Sequence, residues 1–180
     1  DIASEYRYRD PIIPENTIPE IASRMTTTVA PAEFYRQMTA SQMEYSGHFQ
    51  SIGALWHGDR EALARIAPLP ESEFLLAPAL LDAALQPLAL LYGTHRFYLP
   101  ISVEGVHQYA LATGEVWSHV TLTKGAAGDE MVECALRLYD GEGNPVAAAE
   151  RIVVRQAIQL QRSLQPQPAL QNDFYQPAWR

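Results

Sequence analysis

Hydrophobic and polar positions alternate along several short stretches of this chain and follow a helical period in another. The pattern predicts strands at residues 49–56, 61–66, 97–106, 115–123, 131–139 and 146–155, and polar and apolar residues alternate within 131–139 as in a half-buried strand. A glycine-rich stretch at residues 140–144 fits a hairpin turn between the last two strands. A helix is predicted over residues 31–43, because Pro31 suits its first turn and the apolar residues Phe34, Met38 and Met43 follow at nearly helical spacing.

One stretch, residues 79–91, is apolar on every side except at Asp82 and Gln86. A helix that is hydrophobic all round is expected inside a protein, wrapped by other elements. Asp82 and Gln86 are four residues apart, so they share a helix face and can touch. Pro87 removes a helical hydrogen bond and should bend or end the helix. The pattern therefore predicts an α+β fold in which an antiparallel sheet surrounds a central buried helix.

Two segments, one at each end of the given sequence, lack such periodicity. Residues 1–25 are polar and interrupted by prolines, which predicts an extended linker with a short strand at residues 4–9. From residue 156 onward the chain is rich in Gln and Pro, again typical of a linker. We divide the chain into a linker or remnant of a preceding segment at 1–28, a domain at 29–156 and a linker toward a following domain at 157–180.

Composition narrows the possible functions. The length of 180 residues suits one domain, and 47% hydrophobic with 19% charged residues is ordinary for a globular protein. A net charge of −8 argues against nucleic acid as a partner but leaves room for an acidic carrier protein at a local basic patch. No signal peptide or long apolar span occurs, so no membrane association and a reducing cytoplasm are expected, although anything upstream of Asp1 is out of view.

Cys134 is the single cysteine, so neither an internal disulfide nor a thiolate metal cluster can form within the chain. Its alternating neighbours predict a small core residue rather than a nucleophile. His48 and His57 flank a predicted strand, but no carboxylate or further Cys or His stands at ligand spacing. We therefore expect no metal site.

Five short motifs, in order, resemble the polyketide synthase dehydratase domains. Residues 78–86, PALLDAALQ, are similar to the DxxxQ helix in the second half of those domains. The other four motifs are YSGHF at 45–49 followed by LWHG at 55–58, LPISVEG at 99–105, LYDGEG at 138–143 and DFYQPAWR at 173–180. The resemblance covers residues 29–156 and the closing tail.

The resemblance implies a hotdog fold, a curved antiparallel sheet around a central helix, as one half of a double hotdog. It implies dehydration of a β-hydroxyacyl chain on an acyl carrier protein, giving an α,β-unsaturated thioester. In the family a histidine of the first hotdog removes the α-proton and an aspartate of the second protonates the departing β-hydroxyl. By motif Asp82 corresponds to that aspartate and Gln86 to its orienting partner. Apolar surroundings favour the protonated form that a general acid needs.

The resemblance also implies substrate-binding positions and partners. Tyr45, Gly47 and Phe49 match the motif near the mouth of the site, and Leu99 and Pro100 match the strand that lines the acyl tunnel. No cofactor is expected to bind directly, because the substrate is carried on the phosphopantetheine of the acyl carrier protein. Expected partners are that carrier, the missing N-terminal hotdog, neighbouring synthase domains and a second copy in a homodimer.

The chain departs from the family pattern in three respects. The proline of the family motif YGPxF is replaced in YSGHF, and Ala77 stands where the family often has histidine. The base motif HxxxGxxxxP is absent, since none of the five histidines is followed by glycine four residues later. The chain thus resembles the acid half of a dehydratase, the C-terminal hotdog, without the base half.

Other interpretations stay open. Asp82 and Gln86 are also compatible with a satisfied buried pair left from an ancestral site. The chain would then be a non-catalytic module that scaffolds a synthase or binds the acyl carrier, and the absent base favours this. A third hypothesis keeps the fold and changes the chemistry to double-bond shift, cyclisation or branching. Asp82 counts against the shift, because shifting domains typically lose this aspartate.

Overall fold

Seven antiparallel strands form one sheet in the computed structural model, which describes residues 16–41, 43–70, 76–93 and 98–156. The spatial order is β1-β2-β3-β5-β6-β7-β4, so β1 and β4 are the edges. The strands are β1 (Thr27–Val29), β2 (Ile52–His57), β3 (Glu61–Ile66), β4 (Tyr98–Gln108), β5 (Val116–Lys124), β6 (Met131–Asp140) and β7 (Pro145–Gln156). The predicted α+β class with an antiparallel sheet is confirmed.

All the helices of the described residues precede β4 in the chain. They are α1 (Ile18–Ser23), α2 (Pro31–Ala40), α3 (Pro78–Leu85) and α4 (Ala89–Tyr92), with 3-10 turns at Gly47–Phe49 and Gln86–Leu88. Helix α1 comes before β1, α2 follows β1, and α3 and α4 follow β3. Two predicted boundaries were wrong by a few residues. The helix expected to reach residue 43 ends at Ala40, and the strand expected from residue 49 begins at Ile52, because Phe49 belongs to a 3-10 turn.

The central helix is interrupted at Pro87, as predicted. The chain passes from α3 through the Gln86–Leu88 turn into α4, because proline has no N–H to donate in a regular helix. Helical bonding ends where the Gln86 N–H donates to the Asp82 carbonyl. Ser118 of β5 then donates from Oγ to the Ala84 carbonyl at 2.7 Å, which ties the interrupted helix to the sheet.

One face of the sheet, which we call the inner face, packs against α2, α3 and α4. Strand alternation points Ala62, Ile66, Val116 and Val120 toward Leu80 and other apolar helix residues, and all of these are buried. Cys134 is buried in the same core, as predicted, and burial raises the pKa of its thiol to about 12. Because the thiol of Cys134 stays protonated in these apolar surroundings, we expect it to be unreactive.

The expectation that the central helix is covered on every side was wrong at one position. Leu81 is 37% exposed, next to the half-buried Asp82. Further large apolar side chains are exposed along the edge strand β4, namely Leu99, Ile101, Val103 and Val106. The apolar sequence pattern is therefore not fully satisfied within the described residues.

The opposite face, which we call the outer face, carries α1, in a segment predicted to be an extended linker. That prediction was wrong for Ile18–Ser23, because Thr17 and Glu20 form a reciprocal capping box and Pro19 occupies the first turn. Ile21 is fully buried against Leu63 and Tyr139, beside the stacked rings of Trp56 and Trp117. The strand predicted at residues 4–9 lies outside the described residues.

Candidate active site

Asp82 lies on α3 at the wall of a cavity of about 390 Å³ between the helices and the sheet. The apolar part of the wall comes from both helices and strands, and includes Met38, Met43, Leu85, Leu88, Tyr92 and Val154. Gln86 lines the same cavity one helical turn after Asp82. The structure thus brings the two polar positions of the apolar stretch to one cavity, where a carboxyl group faces an apolar chamber.

Gln86 is 6% exposed, and its amide is fully engaged. Nε2 donates to Asp82 Oδ2 at 2.7 Å and to the Phe49 carbonyl at 2.9 Å. Oε1 accepts from the Tyr35 hydroxyl at 3.0 Å. Both amide hydrogens and one carbonyl lone pair of this side chain are therefore used within the protein, as burial of an amide requires.

Tyr35 of α2 is a site residue that the sequence interpretation missed. Its hydroxyl accepts from the Ile52 N–H at 3.2 Å while donating to Gln86. Burial raises the pKa of Tyr35, opposed in part by the Ile52 hydrogen bond, so the phenol keeps its proton. A faint signal was present, since Tyr35 follows the buried Phe34 and so stands at the border of the apolar face of α2.

Tyr45, predicted to lie near the mouth of the site, lines the cavity. Burial, with a further contribution from the negative charge of Asp82, raises its pKa to about 12. Its ring packs edge-on against Tyr35, with 6.0 Å between the ring centroids. Two neutral phenols therefore flank the Asp82–Gln86 pair.

The other predicted substrate-binding residues divide into two groups. Leu99 and Pro100 of β4 line the cavity. Gly47 and Phe49 form the 3-10 turn beside α3, where Phe49 contributes its carbonyl to Gln86 while its side chain is 44% exposed. The structure thus places Leu99 and Pro100 at the chamber and uses the Phe49 backbone as a support for Gln86.

None of the four histidines in the described ranges lines the cavity. His48 is exposed on the 3-10 turn, and His107 faces Glu150 on β7, with 3.3 Å between Nε2 and Oε1. His119 lies on the outer face, where Nε2 is 2.8 Å from Glu61 Oε2. Burial lowers the pKa of His119, although the Glu61 carboxylate opposes this. His95 lies outside the described residues.

Two further properties of the described residues bear on the class of protein. No set of three His, Cys, Asp or Glu side chains within the described ranges could hold a metal ion. None of the helices described above has the length and apolar character needed to cross a membrane.

Comparison with known proteins identifies the family. Residues 14–163 match the family model described as the polyketide synthase dehydratase N-terminal domain. The chain is 35% identical over 124 residues, 67% of its length, to the spectinabilin polyketide synthase system protein NorA' of Streptomyces orinoci. It is 31% identical over 158 residues, 82% of its length, to polyketide synthase GfsE of Streptomyces halstedii. The chain therefore belongs to the polyketide synthase dehydratase family.

Solved structures agree on the fold. An inactive aspartate-to-asparagine mutant of the CurK dehydratase superposes with a TM-score of 0.68 at 28% identity, covering 80% of this chain. The dehydratase domain of the CurF module of curacin polyketide synthase gives a TM-score of 0.71 at 24% identity. The expected hotdog arrangement, an antiparallel sheet with a central helix, is confirmed.

The chain is much shorter than these relatives. It spans 3% of NorA' and 4% of GfsE, and it covers 54% of the CurK dehydratase chain and 55% of the CurF chain. It thus corresponds in extent to about half of a solved dehydratase domain.

Proposed function

We propose that this chain supplies the acid half of a dehydratase acting on a β-hydroxyacyl thioester carried by an acyl carrier protein. The observation that carries the proposal is Asp82 at the wall of an apolar cavity, hydrogen-bonded by the buried Gln86. A carboxylic acid at this position can protonate a leaving hydroxyl, and the apolar chamber can hold the acyl chain.

The reaction divides between two groups. A base removes the α-proton of the thioester, the β carbon–oxygen bond breaks, and Asp82 gives its proton to the departing hydroxyl. The products are water and an α,β-unsaturated thioester. The histidine base would come from outside the described residues, in a His-bearing hotdog. In support, the CurK dehydratase has an aspartate-to-asparagine mutant and a histidine-to-phenylalanine mutant that are both described as inactive.

The description of the matching family model names the N-terminal domain. Our assignment to the C-terminal half is instead based on the sequence motifs. The aspartate of the DxxxQ helix is present at Asp82, and the histidine motif HxxxGxxxxP of the other half is absent. The exposed apolar side chains of the β4 edge provide a surface for an N-terminal hotdog. Neighbouring synthase domains are expected partners, since the relatives are multidomain synthases.

A second copy in a homodimer is a further expected partner. It would bury the exposed edge and face that a hotdog domain otherwise leaves to solvent. Light scattering on the purified chain tests this, and a strictly monomeric particle would contradict the homodimer.

The test follows water loss by mass spectrometry from a β-hydroxyacyl carrier protein. The chain is assayed alone and then joined to a His-bearing dehydratase half from a relative, with Asp82→Asn as the matched variant. We expect dehydration in the joined protein and its loss in Asp82→Asn. Activity of the joined protein that survives this substitution would contradict the role of Asp82.

The second candidate is a non-catalytic module that binds the acyl carrier or scaffolds the synthase. The observation that favours it is that no histidine of the described residues lines the cavity. Carrier binding without dehydration, in the chain alone and in the joined protein, would establish this function instead.

A further inference from the structure

The hydrogen bonds around Gln86 form a chain with a fixed direction, because both of its backbone ends have only one possible role. At one end, the Ile52 N–H can only donate, and it donates to the Tyr35 hydroxyl oxygen at 3.2 Å. The Tyr35 proton then points to Gln86 Oε1 at 3.0 Å, which is nearer than the other acceptor within reach, the Phe49 carbonyl at 3.5 Å. Tyr35 is thereby a donor toward the amide.

The other end fixes the amide itself. The Phe49 carbonyl can only accept, so the Gln86 atom 2.9 Å from it must be the NH₂ group. The second hydrogen of the same group points to Asp82 Oδ2 at 2.7 Å. Asp82 Oδ2 is therefore an acceptor, and it cannot carry a proton directed at Gln86.

We propose that Tyr35 is a positioning residue which, through Gln86, restricts the transferable proton of Asp82 to Oδ1, the carboxyl oxygen not bonded to Gln86. This rests on the proposed function, since it concerns the proton that Asp82 delivers. Tyr35 does not itself line the cavity; it contacts Gln86 and Tyr45, which do, and it acts on Asp82 through its hydrogen bond to the Gln86 amide.

The surroundings of Tyr35 allow its hydroxyl group to be removed while its ring contacts are kept. Tyr35→Phe keeps the ring and its edge-on contacts with Phe34 and Tyr45, whose ring centroids lie 5.3 Å and 6.0 Å away. It removes the donor to Gln86 Oε1 and leaves the Phe49 carbonyl as the backbone contact that still orients the amide. A less restrained amide holds its N–H less firmly on Oδ2, and Oδ2 can then take up the proton, away from the substrate.

The kinetic experiment uses the joined, His-bearing protein and a double-mutant cycle with Gln86→Met. We expect Tyr35→Phe to lower kcat about tenfold with little change in KM. In the Gln86→Met background the same substitution should have no further effect on kcat. An equal fall in both backgrounds, or none in either, would overturn the proposal.

The matched control is Tyr139→Phe. It makes the same chemical change at a fully buried tyrosine on the outer face, whose hydroxyl has no hydrogen-bond partner among the described residues. We expect kcat, KM and the pH profile to be those of the unmodified protein. Melting temperatures of both variants, followed by circular dichroism, separate loss of fold from loss of positioning.

A second measurement does not depend on activity. In a ¹⁵N NMR spectrum, both side-chain amide protons of Gln86, assigned by their loss in Gln86→Met, should exchange slowly because both are hydrogen-bonded. Tyr35→Phe should shift them and speed their exchange, and unchanged signals would overturn the proposal. If the joined protein does not dehydrate but the signals respond, the proposed function fails while the hydrogen-bond chain stands.

Discussion

The inner and outer faces of the sheet each bury polar side chains, but they satisfy them by different means. On the inner face, Gln86 and Tyr35 are connected by neutral hydrogen bonds that start and end at backbone groups. On the outer face, Arg24 binds Glu61 through two nitrogens, at 2.7 Å and 2.8 Å, and Glu61 also contacts His119. The inner network includes Asp82, whose carboxyl group lines a cavity. In the outer network the Glu61 carboxylate is bonded to Arg24 and His119.

We expect this difference between the two faces to separate effects on activity from effects on stability. Asp82 is half-buried and makes one side-chain hydrogen bond to the described part of the chain, through Oδ2, so we expect the fold to depend little on it. Glu61 instead holds α1 against the sheet, since Arg24 caps the end of that helix and His119 belongs to β5. We therefore expect substitutions on the inner face to affect catalysis first and those on the outer face to affect folding first.

The largest expected effect is that of Asp82→Asn. Dehydration should fall by roughly 10²–10⁴-fold, because an amide cannot supply the proton. The free energy of unfolding should change by less than about 1 kcal/mol, since the Asn oxygen can still accept from Gln86 Nε2. Urea unfolding alongside the mass-spectrometric assay measures both quantities, and a large loss of stability would erase the contrast between the faces.

Glu61→Gln should show the opposite behaviour. It removes the charge that binds Arg24 and His119, and we expect a loss of about 1–3 kcal/mol in the free energy of unfolding. The side chains of Arg24 and Glu61 are 40% and 18% exposed, which keeps the loss below that of a fully buried pair. Dehydration below the melting transition should not change.

The control for this substitution is Glu33→Gln. Glu33 also binds an arginine through two oxygens, but the Arg36 and Glu33 side chains are 71% and 41% exposed. Water screens such a pair, so its urea midpoint should stay where it is in the unmodified protein. An equal shift in both variants would show that the outer network has no special role.

Ser118→Ala tests the connection between the sheet and the interrupted helix. It removes the 2.7 Å hydrogen bond to the Ala84 carbonyl, a buried group. We expect a loss of about 1 kcal/mol in the free energy of unfolding. Because α3 carries Asp82, kcat should also fall, but by less than in Asp82→Asn. A fall in kcat as large as that of Asp82→Asn would place Ser118 in the catalytic machinery.

The smallest expected effect is a pH dependence from His119. Burial lowers its pKa below the ordinary value of 6.5, and the positive charges of Arg137 and Arg24 act in the same direction, against Glu61. The unfolded chain therefore binds a proton first as the pH falls, so stability should decrease below about pH 6.5. Urea midpoints between pH 8 and 5 measure this, and His119→Gln should flatten the dependence.

Glu61 adds a second loss at lower pH. Arg24, chiefly through its hydrogen bonds, lowers the pKa of Glu61 below 4.5 in the folded state. The stability that this carboxylate contributes is complete above pH 4.5 and should be lost as the pH falls through its folded pKa. A single transition that involves only carboxyl groups would contradict the contribution of His119.

The local sequence pattern was sufficient to predict most of the strands, the break in the central helix and one contact of the candidate site. The pattern located β2 to β7 to within a few residues but missed the three-residue β1, and the missing N–H of Pro87 predicted the helix break. The four-residue spacing of Asp82 and Gln86 predicted their contact, since helical geometry places such positions on one face. Each of these depends on neighbours in sequence, which is why the sequence alone could determine them.

Tertiary structure decided the rest. Tyr35 reaches Gln86 across 51 positions, and His119 reaches Glu61 across 58. No periodicity links residues so far apart, because their meeting depends on how strands and helices pack. The residues of α1 form a helix instead of a linker because a buried Ile21 and a capping box stabilise six residues that are marginal alone. The sequence alone predicted the family and the candidate acid Asp82, and packing decided which neighbours surround that carboxyl group.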